Sequence, residues 1–139
     1  MKTFHLPLLA LLIAAPLPAL AADLDLPVDE RIRVLTYAPS DVYTVPTKYG
    51  YQTSIVFAPG EVINTVSVGD RSMWQIVPSG SRIFIRPMDD GLKTNMTVIT
   101  SMREYNFDIL SVESEKAKHL YSVQFRYPSD KKRVAPDAL

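Results

Sequence analysis

Short runs in which apolar and polar residues alternate fill most of the chain and predict an all-β fold. In residues 104–109, Tyr105, Phe107 and Ile109 alternate with polar residues. This period of two indicates a half-buried strand whose aromatic and aliphatic side chains face a core. Residues 111–118 are the only helix-like stretch, and because they are short and polar we expect a loop or a single turn.

The alternation predicts nine strands. They cover residues 31–37, 42–47, 51–57, 62–68, 73–77, 81–86, 95–100, 104–109 and 120–127. In the first strand, Ile32 and Val34 share one face. Pro46 cannot donate a ladder hydrogen bond, which places the second strand at a sheet edge or near its own end. In the sixth strand Ile83 and Ile85 share a face. In the last strand one face carries Tyr121, Val123, Phe125 and Tyr127.

The five glycines, at positions 50, 60, 69, 80 and 91, separate these runs at nearly even spacing. Glycine accepts a positive φ, so glycines between β-prone runs indicate turns. We interpret them as consecutive hairpins. The sequence therefore predicts a β-sandwich of about eight or nine short antiparallel strands. The same spacing of glycines argues against the Gly-rich phosphate-binding loops and the helical active sites that many enzymes use.

The first 21 residues have the composition of an export signal. Lys2 supplies a short positive region, residues 6–15 are apolar, and Ala19 and Ala21 fit the rule for signal peptidase. The alternative is a membrane anchor. Prolines interrupt the apolar run, however, and it is too short to span a bilayer. We expect cleavage after Ala21.

Beyond this signal the sequence predicts one domain. We expect an extended N-terminal arm at residues 22–30, a β-sandwich at residues 31–127, and a flexible tail or the start of an interdomain linker at residues 128–139.

Without Lys2 the chain has 14 basic and 15 acidic side chains, so charge gives no reason to expect direct, sequence-specific nucleic acid binding. The basic residues 131–133 are more typical of a solvated tail than of a phosphate or lipid contact. Export without any cysteine fits a bacterial periplasmic protein.

Residues suited to catalysis are scarce. Once His5 leaves with the signal, His119 is the only histidine, and a single histidine beside a polar loop is typically solvated. No G-x-S-x-G motif accompanies it. Asp89 and Asp90 resemble turn formers more than a cation site. We predict that the protein is not an enzyme and has no catalytic, cofactor-binding or metal-binding residues.

The aromatic residues leave alternatives open. Trp74, the only tryptophan, is either a ligand-stacking platform or, as we expect, the largest core side chain. Tyr37, Tyr43, Tyr49 and Tyr51 are either an exposed partner-binding patch or half-buried strand side chains. Edge strands, especially the second one, can also accept a partner strand.

Residues 31–127 resemble a known family through an ordered set of short motifs. In chain order these are Arg31-Ile32-Arg33 with Tyr37-x-Pro39-x-Asp41-Val42, Pro59-Gly60-Glu61, Val66-x-Val68-Gly69-Asp70-x-x-x-Trp74, Ile83-Phe84-Ile85-x-Pro87, TNMTVIT at residues 94–100 with Tyr105-x-Phe107, and Val123-x-Phe125-x-Tyr127-Pro128. Each motif alone is weak, but the ordered set is specific. The stretch is similar to the N-terminal domain of the TrbG/CagX family, which includes the ninth VirB protein, a periplasmic component of type IV secretion systems.

The resemblance implies a β-sandwich with a structural role and no catalytic residues. Many copies would form a ring in the core complex of a secretion or conjugation channel, in the periplasm and associated with the outer membrane. The expected partners are copies of the chain itself, a membrane-spanning scaffold of the tenth VirB type, and an outer-membrane lipoprotein of the seventh VirB type. In the family a second β-domain, which would bind the lipoprotein, follows the Tyr127-Pro128 motif. Residues 128–139 resemble the start of the linker to it, so scaffold packing is the better supported contact.

Two other functions stay open at this point. The first is a free periplasmic binding module, chaperone-like or inhibitor-like, that captures a partner by strand addition. The second is a hydrolase or metal enzyme, which would have to use His119.

Overall fold

The computed structural model describes residues 28–115 and 117–128. Nine strands lie in these ranges: β1 (Ile32–Thr36), β2 (Val42–Thr47), β3 (Thr53–Val56), β4 (Ile63–Val68), β5 (Trp74–Ser79), β6 (Arg82–Pro87), β7 (Lys93–Thr100), β8 (Glu104–Ser111) and β9 (Ser122–Arg126). Every predicted strand is present, with ends moved by at most two residues. The described residues form no helix long and apolar enough to cross a membrane. The predicted export signal and the basic residues 131–133 lie outside the described residues.

The strands form two sheets with a shared core. One sheet has the order β1-β9-β3-β6-β5 and the other the order β2-β8-β7-β4. The predicted all-β sandwich is therefore confirmed. Residues 112–115 and 117–121, around the predicted helical turn, connect β8 to β9 without helix.

The interpretation of the glycine turns as consecutive hairpins is wrong for most of them. Among the described strands, β5–β6 and β7–β8 are the hairpins between consecutive strands. Gly80, with a φ of 60°, makes the first of these turns, whereas Gly60, with a φ of 79°, passes the chain from one sheet to the other. Both turns need the same backbone freedom, so glycine spacing does not distinguish a hairpin from a corner.

Three strand pairings are parallel, which the prediction of antiparallel strands missed. They are β1–β9, β3–β9 and β2–β8. The last strand, β9, inserts between β1 and β3 and so joins the two ends of the sandwich domain. Parallel pairs need a crossover, and here the chain makes it by passing through the opposite sheet.

The core is apolar and rich in aromatic rings, as the alternation predicted. Ile83 and Ile85 have no exposed surface, and Tyr105, Phe107 and Ile109 are exposed by 1% or less. The core also contains ring pairs such as Phe57 with Tyr105, whose centroids lie 4.6 Å apart. Such contacts give tilted aromatic packing between the two sheets.

The alternation of the last strand holds only from Val123 onward. Tyr121 is 40% exposed and Leu120 is buried, the reverse of their predicted faces, because β9 begins only at Ser122. In β1, Ile32 and Val34 share a face as predicted, but that face is the outer one, and they are 37% and 49% exposed.

Shortening a core side chain tests the position of the core. We expect Ile85→Ala to lower the free energy of unfolding by about 2–5 kcal/mol, because it leaves a cavity between the sheets. The matched control Val77→Ala, on the 47% exposed position of the neighbouring strand β5, should cost less than about 1 kcal/mol. Urea unfolding followed by Trp74 fluorescence measures both. Equal costs would contradict this placement of the core.

Candidate functional site

His119 is half-buried rather than fully solvated as the sequence had predicted. Its ring lies 4.5 Å from that of Tyr51 and 5.5 Å from that of Tyr121, measured between centroids. The Nε2 atom is buried and has no hydrogen-bond partner among the described residues. Burial, together with the cations of Lys48 and Arg31, lowers the pKa of His119, so the imidazole is neutral at neutral pH.

The other residues considered for catalysis or metal binding have structural roles. Asp89 accepts a hydrogen bond from the backbone N–H of Asp90 at 2.8 Å, as a turn former does. Within the described ranges, no group of three or more His, Asp or Glu side chains could hold a metal ion. Trp74 is 4% exposed, which confirms the expectation of a core side chain.

The four tyrosines divide between the two alternatives. Tyr43 is buried, and its hydroxyl bonds the backbone N–H and C=O of Ala38 at 2.8 and 3.1 Å. Tyr37 is half-buried and packs edge-on against Tyr105. Tyr49 and Tyr51 remain 53% and 45% exposed. An exposed aromatic patch therefore exists, but it is smaller than the sequence suggested.

A buried carboxylate, Glu61, is the centre of a polar cluster, which we call the Glu61 cluster. Glu61 is 1% exposed and ends the turn that contains Gly60. Its carboxylate accepts hydrogen bonds from Thr100 Oγ1 at 2.5 Å, from the Tyr105 hydroxyl at 3.0 and 3.1 Å, from Arg103 Nη1 at 3.2 Å and from the backbone N–H of Ala58 at 3.1 Å.

Two further residues complete the Glu61 cluster. The hydroxyl of Tyr127 lies 2.8 Å from that of Tyr105, and the guanidinium of Arg103 stacks 4.0 Å above the Tyr127 ring. Burial raises the pKa of Tyr105, and Tyr127 and Glu61 add to the effect, so the phenol stays protonated and can donate. Burial lowers the pKa of Arg103, but Glu61 and the tyrosines outweigh it, so the net pKa is raised.

The Glu61 cluster is saturated and joins the two sheets. Thr100 and Tyr105 belong to the second sheet, whereas Tyr127 directly follows β9 of the first. Both carboxylate oxygens already accept protein donors, so the cluster offers a substrate no free acid or base. Pro59-Gly60-Glu61 is recognisable in the sequence as a turn and a family motif, but the cluster is not. A single acid that follows Pro-Gly was the only local signal.

A groove lies at one side of the sandwich, between the edge strands β4 and β5. We call it the β4/β5 groove. It has a volume of about 360 Å³ and is lined by Ile63, Asn64, Val66, Val68, Arg71, Trp74, Ile76 and Pro78. A groove of this size, lined mainly by apolar residues, falls in the range typical of binding pockets.

The opposite side, which the sequence favoured for strand addition, is partly covered. β2 is an edge strand, as Pro46 predicted. The carbonyl of Pro46 points away from β8, however, and accepts the N–H of Leu120 at 2.9 Å. The chain itself thus occupies part of this edge, and the open side is the one with the β4/β5 groove.

Removing the buried charge tests the Glu61 cluster. We expect Glu61→Gln to lower the free energy of unfolding by about 2–4 kcal/mol, because Arg103 loses its anion and the donors lose a charged acceptor. The control Glu104→Gln, at an exposed position, should stay within about 0.5 kcal/mol. Urea unfolding measures both. If Glu61→Gln leaves the free energy of unfolding unchanged, the charge of Glu61 is not needed for stability.

His119 predicts a pH dependence of stability. Its folded pKa is below the ordinary value of 6.5, so the unfolded chain binds a proton that the folded protein excludes. This contribution to stability is present above pH 6.5 and is lost as the pH falls through the window below it. In that window, His119→Gln should reduce the slope of the urea unfolding midpoint plotted against pH. Identical slopes for the two proteins would rule out His119 as the responsible group.

Comparisons with known proteins place the chain in a family. Residues 30–137 match the family model CagX, described as conjugal transfer protein. The chain is 29% identical over 126 residues to the type IV secretion system protein virB9 of Bartonella quintana, which covers 85% of this chain and 44% of that protein.

Two more relatives agree. The type IV secretion system protein PtlF of Bordetella pertussis is 32% identical over 122 residues, covering 73% of this chain and 45% of the relative. The virB9 protein of Brucella abortus is 30% identical over 146 residues, covering 93% of this chain and half of the relative. The chain thus spans about half the length of the curated relatives it matches. The resemblance drawn from the motifs is confirmed, and the chain belongs to the CagX family.

Proposed function

We propose that the chain is a structural subunit of the periplasmic and outer-membrane core complex of a type IV secretion, or conjugative transfer, channel. The observation that carries this proposal is the family match over residues 30–137, together with relatives that are named type IV secretion system proteins. The chain would be a structural part of an assembly that passes DNA or protein out of the cell.

The geometry of the described residues supports a structural role rather than an enzymatic one. Glu61, the most buried acid, is saturated by protein donors. His119 is held between two tyrosine rings, and Asp89 closes its own turn. We therefore propose that the chain has no catalytic, cofactor-binding or metal-binding residues.

The partners follow from the same family expectation. We propose that copies of the chain form a ring beside a membrane-spanning scaffold of the tenth VirB type. An outer-membrane lipoprotein of the seventh VirB type is a further proposed partner. Export to the periplasm would follow cleavage after Ala21, and residues 31–127 would be the sandwich domain.

One observation favours a second function. The β4/β5 groove has two free strand edges and aliphatic side chains in its lining, the features that strand capture uses. A free periplasmic module that captures a partner strand is therefore the alternative.

Purification from the native host tests the proposal. We expect a tagged chain, extracted from the envelope in mild detergent, to elute in a very large particle that contains a membrane-spanning scaffold and further copies. Light scattering gives the mass, and peptide sequencing identifies the partners. A free chain of monomer size in the osmotic-shock fraction, without membrane partners, would contradict the channel proposal and favour the free module.

A histidine replacement tests the absence of catalysis. We expect His119→Ala to leave substrate transfer by the channel at the level of the parent, because the Nε2 atom of the ring has no hydrogen-bond partner among the described residues. Transfer frequency, corrected for the amount of chain in the envelope, is the measurement. A loss of transfer at equal protein level and equal particle mass would contradict a purely structural role.

A further inference from the structure

The free edge of β4 presents backbone groups to the β4/β5 groove. Gly69 N–H bonds the carbonyl of Asn95 at 3.0 Å, which fixes the alternation of β4 against β7. Because backbone groups of successive residues point to opposite sides of a strand, Val66 and Val68 direct their N–H and C=O groups away from β7. Their side chains line the groove, so this edge can pair with a further strand.

The edge of β5 is a poorer acceptor. Met88 N–H bonds the carbonyl of Met73 at 3.0 Å, and the alternation from there turns the backbone of Ile76 and Pro78 toward the free side. Pro78 has no N–H to offer. A strand that enters the groove therefore gains more hydrogen bonds from β4 than from β5.

The N-terminal arm of the chain has the sequence that such a strand needs. Residues 23–28 read Asp-Leu-Asp-Leu-Pro-Val, so Leu24, Leu26 and Val28 alternate with polar or proline positions. An extended segment of this kind carries its three aliphatic side chains on one face. Val28, the last residue of the segment, is 71% exposed and so finds no place in the core of its own sandwich.

Charge also matches the arm to the groove. Residues 23–28 contain two acids, Asp23 and Asp25, and no basic residue. Arg71 is the charged residue of the groove lining, and among the described residues it takes part in no ion pair. An acidic strand that lies along β4 would bring its carboxylates near this guanidinium.

The arm cannot easily fill the groove of its own copy. It leaves the sandwich at β1, and β1 and β5 are opposite edges of the five-stranded sheet. Four strand spacings separate them, roughly 19 Å, while residues 23–28 span at most roughly 20 Å when fully extended. The crossing would use the whole arm and leave nothing to pair with β4.

We infer that residues 23–28 of one copy add a strand to β4 of the next copy, with Leu24 and Leu26 in the β4/β5 groove. The inference rests on the proposed ring of copies and names the contact between neighbours. Each copy donates one arm and receives one, a head-to-tail contact of the kind that closes into rings.

Paired cysteines test the contact without background, because the chain has no cysteine. The full chain carrying Leu24→Cys and Val66→Cys is expressed in its host, and the envelope is treated with a mild oxidant. We expect disulfide-linked dimers and higher multimers. Asp25→Cys with Val66→Cys places the first thiol on the other face of the arm, and Leu24→Cys with Val42→Cys places the second on the covered side of the sandwich. Both controls should give several-fold fewer multimers.

Each other outcome would overturn the inference. A disulfide within one chain, seen as loss of free thiols at monomer mass, would show that the arm binds the groove of its own copy. A link to a different protein would assign the groove to that partner. If the thiols stay free in an intact large particle, the arm does not contact β4 of a neighbour, but the proposed function still holds. If the control pairs form as many disulfides as the test pair, the disulfides arise from random collisions and the inference fails.

A peptide experiment keeps the inference testable where no particle assembles. The mature chain is diluted until it is monomeric and titrated with a synthetic peptide of residues 22–30. Trp74, the only tryptophan, lines the groove and reports binding through its fluorescence. We expect a saturable shift, and a peptide with Leu24→Ser and Leu26→Ser should bind roughly tenfold or more weakly. No shift, or equal binding of the two peptides, would overturn the inference even if the channel proposal holds.

Discussion

A carboxylate buried between two sheets is tolerated only if protein donors replace the water it has lost, and this constraint at Glu61 organises the sandwich. Its donors come from Ala58, Thr100, Arg103 and Tyr105. Such a charge does not have to add net stability, because desolvation offsets much of the attraction. It makes other arrangements of the sheets costly, since any slip leaves an anion without partners.

The Glu61 cluster explains several motifs that otherwise look unrelated. The Pro-Gly turn presents the acid, Thr100 ends one motif, Tyr105 begins the next, and Tyr127 closes the set. These residues lie far apart in sequence but meet at one point between the sheets. The chain's own loop covers part of the β2 edge, whereas the β4/β5 side stays open, so the fold combines a fixed interior with an open edge.

The sequence predicted what depends on local pattern and missed what depends on distant contacts. Alternation in residues 104–109 placed Tyr105 and Phe107 in the core correctly, because one strand decides which face is buried. Gly60 and Gly80 look alike in sequence, so a corner could not be told from a hairpin. The side-chain partners of Glu61, which are Thr100, Arg103 and Tyr105, lie 39 to 44 residues away along the chain, so no local signal identified them. The parallel position of β9 and the open groove follow from strand order, which alternation does not encode.

Hydrogen exchange in the free and the assembled chain tests most directly whether this sandwich is a subunit completed by its neighbours. We predict that the amides of Val66 and Val68 exchange fast in the isolated chain and become protected in particles from the host envelope. Core amides such as those of Ile83 and Ile85 should be protected in both. Unchanged fast exchange at Val66 and Val68 in the assembled particle would contradict the claim that neighbouring copies complete this edge.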